Sequence, residues 1–201
     1  MRKTNKLYRL FIICVFFNML NISNVFAAGS KFSYGISTEV GKGSMGNGLA
    51  DAPQRDMLFI PISLFGGFNI KKVRLGLNYE YLIGNQSTDP INVANTNLSG
   101  KGSALGVRLD YYTGIQSIGL VYRLSSDYTP DKQTFAGTSV KYKGSFGYSI
   151  QYMRQIKNRW GFIVDYTAEE YKESLTSSPI KWNRIGLGVV FSNFGAVGGG
   201  K

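Results

Sequence analysis

Glu39, Arg74, Glu80, Arg108, Asp110, Arg123 and Asp165 fall on the Gly- and Ser-rich side of alternating segments, and Glu169 borders the same set. Carboxylates and guanidinium groups crowded into a narrow, low-dielectric space pair and hydrogen-bond with one another. This set therefore reads as a polar network filling an interior, with a selectivity or gating network as the alternative. Histidine is absent. That removes His-dependent acid/base pairs, Ser-His nucleophiles and the usual His-bearing zinc sites. The one cysteine, Cys14, lies in a segment expected to be cleaved, so thiol chemistry and disulfides are not expected either. No residue is assigned a catalytic, cofactor-binding or metal-binding role, and no cofactor is expected.

Two further patterns carry less. Gly41-Lys42-Gly43-Ser44-Met45-Gly46 spells G-x-G-x-x-G, which cradles phosphates when it opens a helix inside a βαβ unit. A polar stretch with Ala52-Pro53 follows instead of an amphipathic helix, so a flexible loop is the expectation. Glu169-Glu170 and the pair Asp127 and Asp131 are carboxylate groupings without an evident pocket, and they read as solvated loop charge.

The elements that position these residues begin after a leader. Arg2, Lys3, Lys6 and Arg9 precede an apolar run from Leu10 to Phe17, and Val25-Phe26-Ala27 offers small residues for cleavage after Ala27, or after Ala28. The run is too short for a transmembrane helix and is interrupted by Asn18 and Asn21. Residues 1–27 are thus expected to be a signal peptide, 28–194 the folded domain and 195–201 a Gly-rich tail. Loss of the leader lowers the formal charge of +11 by four.

The remaining chain is rich in Gly, Tyr and Phe and poor in Pro, a composition suited to sheets with tight turns. Apolar residues alternate with small or polar ones in eight runs: 31–40, 57–68, 72–82, 103–112, 116–125, 141–153, 159–169 and 183–191. The connections between them are long and short in strict alternation. This predicts an all-β fold, an eight-stranded antiparallel up-and-down barrel. The apolar side is bulky in every run, and eight strands leave an interior only just wide enough for side chains, which Phe, Tyr, Trp and Leu from all eight would overfill. The apolar side is therefore expected to face outward into a membrane, with Gly, Ser and the ionisable set inside. A soluble carrier with the faces reversed is disfavoured. Tyr79, Tyr81, Tyr111, Tyr112, Tyr122, Tyr152, Trp160 and Tyr166 are expected in aromatic belts on or beside the outer face. Pro61 interrupts the second run and is expected to sit at a bulge.

On these features the chain resembles the small bacterial outer-membrane β-barrel proteins of the eight-stranded class. The last run, Arg184-Ile185-Gly186-Leu187-Gly188-Val189-Val190-Phe191, looks like the C-terminal targeting signal of that class. The resemblance implies that Gly186, Val189 and Phe191, or Phe194 in place of Phe191, serve the outer-membrane assembly machinery as an assembly signal. It also implies a Gram-negative outer membrane as the location. The class hosts many functions. The expected role is structural or interactive, with loops contacting envelope or cell-surface partners. A narrow channel or a carrier for small or apolar molecules is the alternative, which a continuous polar lumen or a lateral opening beside Pro61 would favour. An enzyme is not expected. Lys42, Arg55, Lys101, Lys132, Lys141, Lys143, Lys172 and Lys181 lie in or near the outer loops and read equally as a basic rim facing lipopolysaccharide phosphates or as charge that serves solubility. Nucleic acid is not an expected partner, and a monomer is.

Overall fold

The computed structural model describes residues 32–47, 55–86, 99–131, 134–135, 138–139, 141–173 and 179–193. The leader, the tail, Phe194 and Lys132 lie outside them. Aromatic and β-branched residues alternating with Gly and Ser favour pleated strands whose two faces differ in character. Eight long strands form: β1 (Phe32–Asn47), β2 (Arg55–Ile70), β3 (Val73–Gln86), β4 (Gly100–Thr113), β5 (Gln116–Pro130), β6 (Tyr142–Lys157), β7 (Trp160–Glu173) and β8 (Pro179–Ser192). A two-residue ladder joins Thr134–Phe135 to Thr138–Ser139 beyond β5.

Each long strand pairs antiparallel with its chain neighbours, and β1 closes on β8. The result is a closed eight-stranded up-and-down barrel. Closure matters because no edge is left to carry unpaired backbone groups. At one end the connections are two-residue hairpins, Lys71-Lys72, Gly114-Ile115 and Asn158-Arg159. The first residue of each has positive φ: 56° at Lys71, 65° at Gly114 and 51° at Asn158. Gly and Asn adopt that region readily, whereas Lys71 does so against its Cβ. The longer connections all lie at the opposite end, called the outer end below.

The strands run further toward the outer end than the eight alternating segments. β1 extends through Asn47, so the G-x-G-x-x-G stretch is strand and not a flexible loop. Gly43 is needed there for close strand approach, since a Cβ would overlap the Asn183 carbonyl oxygen. β5 reaches Pro130 and takes in Asp127, and β7 takes in Glu169 and Glu170.

Pro61 does not mark a bulge. The β1–β2 register is the same on both sides of it, from Thr38 opposite Ile62 to Gly41 opposite Phe59, and between those pairs Ile60 and Pro61 lack partners in β1. The β2–β3 ladder runs unbroken through Pro61 opposite Leu82. A residue in an antiparallel strand directs its N–H to one neighbour only. The missing donor thus affects the β1 side and leaves the β3 side whole. The register shifts lie elsewhere: at Leu124 in β5, where Leu105 faces Ser125 and Gly106 faces Arg123, and at Ser145 and Ile156 in β6.

The outer wall is apolar. Leu75, Leu77, Leu109, Ile118, Leu120, Ile150, Ile185 and Leu187 are all exposed on it, and Leu187 is 64% exposed. The polar and charged residues of the alternate positions are buried inside. Tyr112 is the exception among the expected belt aromatics. It is 2% exposed and turns into the lumen, because its position in β4 shares the parity of Arg108 and Asp110.

Candidate functional site

The lumen is layered. Next to the hairpin end, Phe65, Tyr112, Met153, Ile163 and Val190 form a buried apolar cluster. Above it Asp110 is held between two guanidinium groups. Arg74 Nε and Nη2 lie 2.8 and 2.7 Å from its Oδ2, and Arg108 Nε lies 2.8 Å from the same oxygen. Arg108 also donates to Gln151 Oε1 at 2.6 Å and to Asn78 Oδ1 at 3.3 Å. Both arginines stack near Phe65, at 4.7 and 4.2 Å from the ring centroid, which adds a cation–π contribution. One carboxylate therefore serves two fully buried cations in this layer. Gly119 makes room for it, since a Cβ there would overlap Asp110 Oδ1.

The next layer is centred on Glu80. Its Oε2 accepts from Arg184 Nη2 at 2.6 Å and Arg123 Nη2 at 3.1 Å. Arg123 Nε lies 3.8 Å from Glu169 Oε1, and Arg184 Nε lies 3.6 Å from Asp165 Oδ1. Thr167 donates to Asp165 Oδ2 at 2.7 Å. Glu39 enters this layer from β1. A Cβ on Gly186 would lie 2.8 Å from Glu39 Oε2 and 3.0 Å from Asp165 Oδ1, so two carboxylates converge over that glycine. Four acids meet two arginines here, against one acid and two arginines below. Arg184 is the member that sequence reasoning did not place in the network. Its parity with Gly186 and Gly188 was the available signal.

Toward the outer end the lumen turns aromatic. Trp182 packs edge-on against Phe59, Tyr128 and Tyr171, with centroids 5.0, 5.2 and 4.8 Å away. Met57, Leu82, Tyr142 and Ile180 complete the cluster. Trp182 Nε1 donates to Glu169 Oε2 at 2.8 Å, tying the aromatic cap to the charged layer below. Buried indoles need such a partner.

The remaining sequence candidates are scattered. Lys42, Lys101, Lys141, Lys143, Lys172 and Lys181 are exposed toward the outer end, while Lys132 and the side chain of Arg55 lie outside the described residues. Asp127 accepts from the Ser103 N–H and Oγ at 2.9 and 3.1 Å. Gly186 lines the lumen, Val189 faces outward, and the Phe191 ring packs against Trp160 at 5.1 Å. Among the described residues no cluster of three or more Cys, Asp or Glu has a geometry suited to a metal ion.

No protein-family model and no curated protein matches the sequence. Solved structures do match in fold. Neisserial surface protein A is similar over 81% of this chain and 97% of its own, with a TM-score of 0.55 and 14% identity. Ail, the attachment invasion locus protein of Yersinia pestis, solved with the heparin analogue sucrose octasulfate, matches over 81% and 99%, with a TM-score of 0.47 and 12% identity. With its closed eight-stranded antiparallel sheet, apolar wall and charged interior, the chain has the fold of the small bacterial outer-membrane β-barrels.

Proposed function

We propose that this protein is an outer-membrane barrel with a structural or interaction role, its lumen filled by side chains and its outer end presented to lipopolysaccharide and envelope or surface partners. The carrying observation is the inverted polarity. Arg74, Arg108, Asp110 and Glu80 are buried within a wall whose exposed residues are Leu, Ile, Val and aromatics. Such a wall is stable only against hydrocarbon. The two charged layers and the aromatic cap support the reading of a filled lumen, since eight strands enclose little space beyond that of their own side chains. Gly186, Val189 and Phe191 belong to β8, the strand that closes the barrel on β1, and we propose them as the assembly signal.

A narrow conducting path is the second reading. Arg123 Nη1, Arg184 Nη1, Asn78 Nδ2 and Ser117 Oγ are buried without a hydrogen-bond partner among the described residues, which favours hydration of the lumen.

Heat-modifiability of the full chain expressed in a Gram-negative host tests the first reading. A band in the outer-membrane fraction that changes mobility on boiling is expected. Recovery as a soluble periplasmic protein without a shift overturns it. Single-channel recording then separates a filled lumen, which stays silent, from a conducting one.

A further inference from the structure

The outer wall carries an amphipathic track beside the longest gap in the strand ladders of the described residues. Between Tyr122 opposite Tyr148 and Asp127 opposite Lys143, no residue of β5 pairs with β6. Both strands shift register at this point, at Leu124 and at Ser145. Beside the gap lies a depression of about 440 Å³ lined by Leu105, Leu124, Ser125, Asp127 and Lys143, among others. A second depression of about 420 Å³ is lined by Tyr34, Leu64, Leu77 and further apolar groups. Tyr79 and Leu105 border both, so the two adjoin. Each falls within the range of small-ligand sites, about 300–1,000 Å³.

The polar end of the track is cationic. Lys143 stands directly opposite Lys172 across the β6–β7 ladder. Like charges in that relation repel. Neither has an ion-pair partner among the described residues. Asp127 faces Lys143 across the β5–β6 ladder and offsets one of the two charges while held by Ser103, so the two lysines and this acid leave one net positive charge at that end. An anion seated between the two lysines relieves the repulsion.

We infer that this track is a specific site for one phosphorylated glycolipid of the outer leaflet, with a phosphate on Lys143 and Lys172 and an acyl chain lying past Leu105 into the apolar groove. The inference rests on the membrane placement and lipopolysaccharide contact proposed above, and it assigns them one place on the wall. Charge complementarity at one end and apolar continuity at the other select a lipid over a soluble anion or a protein.

The test is native mass spectrometry of the full-length barrel in non-ionic detergent, mixed with equal amounts of diphosphoryl lipid A and its dephosphorylated form. Preferential retention of the phosphorylated lipid is expected. Lys143→Glu with Lys172→Glu should weaken it about tenfold or more, from the loss of two surface cations. Leu105→Trp should obstruct the track and weaken it as well. Lys143→Gln with Lys172→Gln provides a milder pair, and every variant is first shown to be heat-modifiable. Equal retention of the two lipids, or unchanged retention in the lysine variants, overturns the inference. Loss confined to Lys42→Glu with Lys181→Glu, on the other flank, would move the contact while leaving lipopolysaccharide binding intact. No retention by any form would remove both.

Discussion

Asp110→Asn is expected to be the most damaging charge-neutralising substitution in the lumen. Asp110 is the only carboxylate of its layer among the described residues, and its Oδ2 faces Arg74 and Arg108 at 2.7 to 2.8 Å. Both arginines are buried, so neutralising it strands two cations among Phe65, Tyr112, Asn78 and Gln151. Removing one partner of a buried ion pair costs about 3–5 kcal/mol because the other charge is left uncompensated. Glu80→Gln is the matched control. Its partners keep second acids, Arg123 with Glu169 at 3.8 Å and Arg184 with Asp165 at 3.6 Å. That loss should be closer to one charge-assisted hydrogen bond, about 1.5–3 kcal/mol. The assay is reversible urea unfolding of the barrel in lipid vesicles, followed by fluorescence. Adding Arg74→Met to Asp110→Asn should recover part of the loss, which a double-mutant cycle reads directly. Glu80→Gln costing as much as Asp110→Asn, or Asp110→Asn costing under about 1 kcal/mol, would refute the single-carboxylate reasoning.

The two tryptophans separate inside from outside. Trp160, 54% exposed on the wall, should be quenched by brominated lipid in a Trp182→Phe variant, whereas Trp182 should be shielded in a Trp160→Phe variant. Equal quenching would contradict the polarity of the barrel. Trp182→Ala removes three ring contacts and the donor to Glu169, and should cost about 3–5 kcal/mol in the same urea assay. Leu120→Arg places a charge near the middle of the apolar wall and should cost about 2–4 kcal/mol in vesicles, while Lys101→Leu near the outer end should change little. Gly76→Val puts side-chain atoms where the Gly66 carbonyl oxygen lies, so the β2–β3 ladder should fail and the heat-modifiable band should be lost.

Period-two alternation was enough to count the strands, divide their faces and put Glu39, Arg74, Glu80, Arg108, Asp110, Arg123 and Asp165 on one side. A strand fixes side-chain direction locally, without reference to any partner. The alternation of long and short connections was likewise sufficient for the up-and-down order. Neighbour identity within the lumen was not available. Whether Arg184 meets Glu80, 104 positions away, depends on how eight strands are staggered around a closed circle, a property of no single strand. Parity itself failed where a strand bulges. Ile118, Tyr122 and Leu124 face outward, but the shift at Leu124 turns Tyr128 inward into the aromatic cap, and the shift at Ser145 does the same for Tyr142. The sequence by itself therefore determined the strands, their faces and their order. The tertiary structure alone decided register, bulges and the layering of the lumen, because one extra residue in a strand inverts every side chain beyond it while leaving the local pattern almost unchanged.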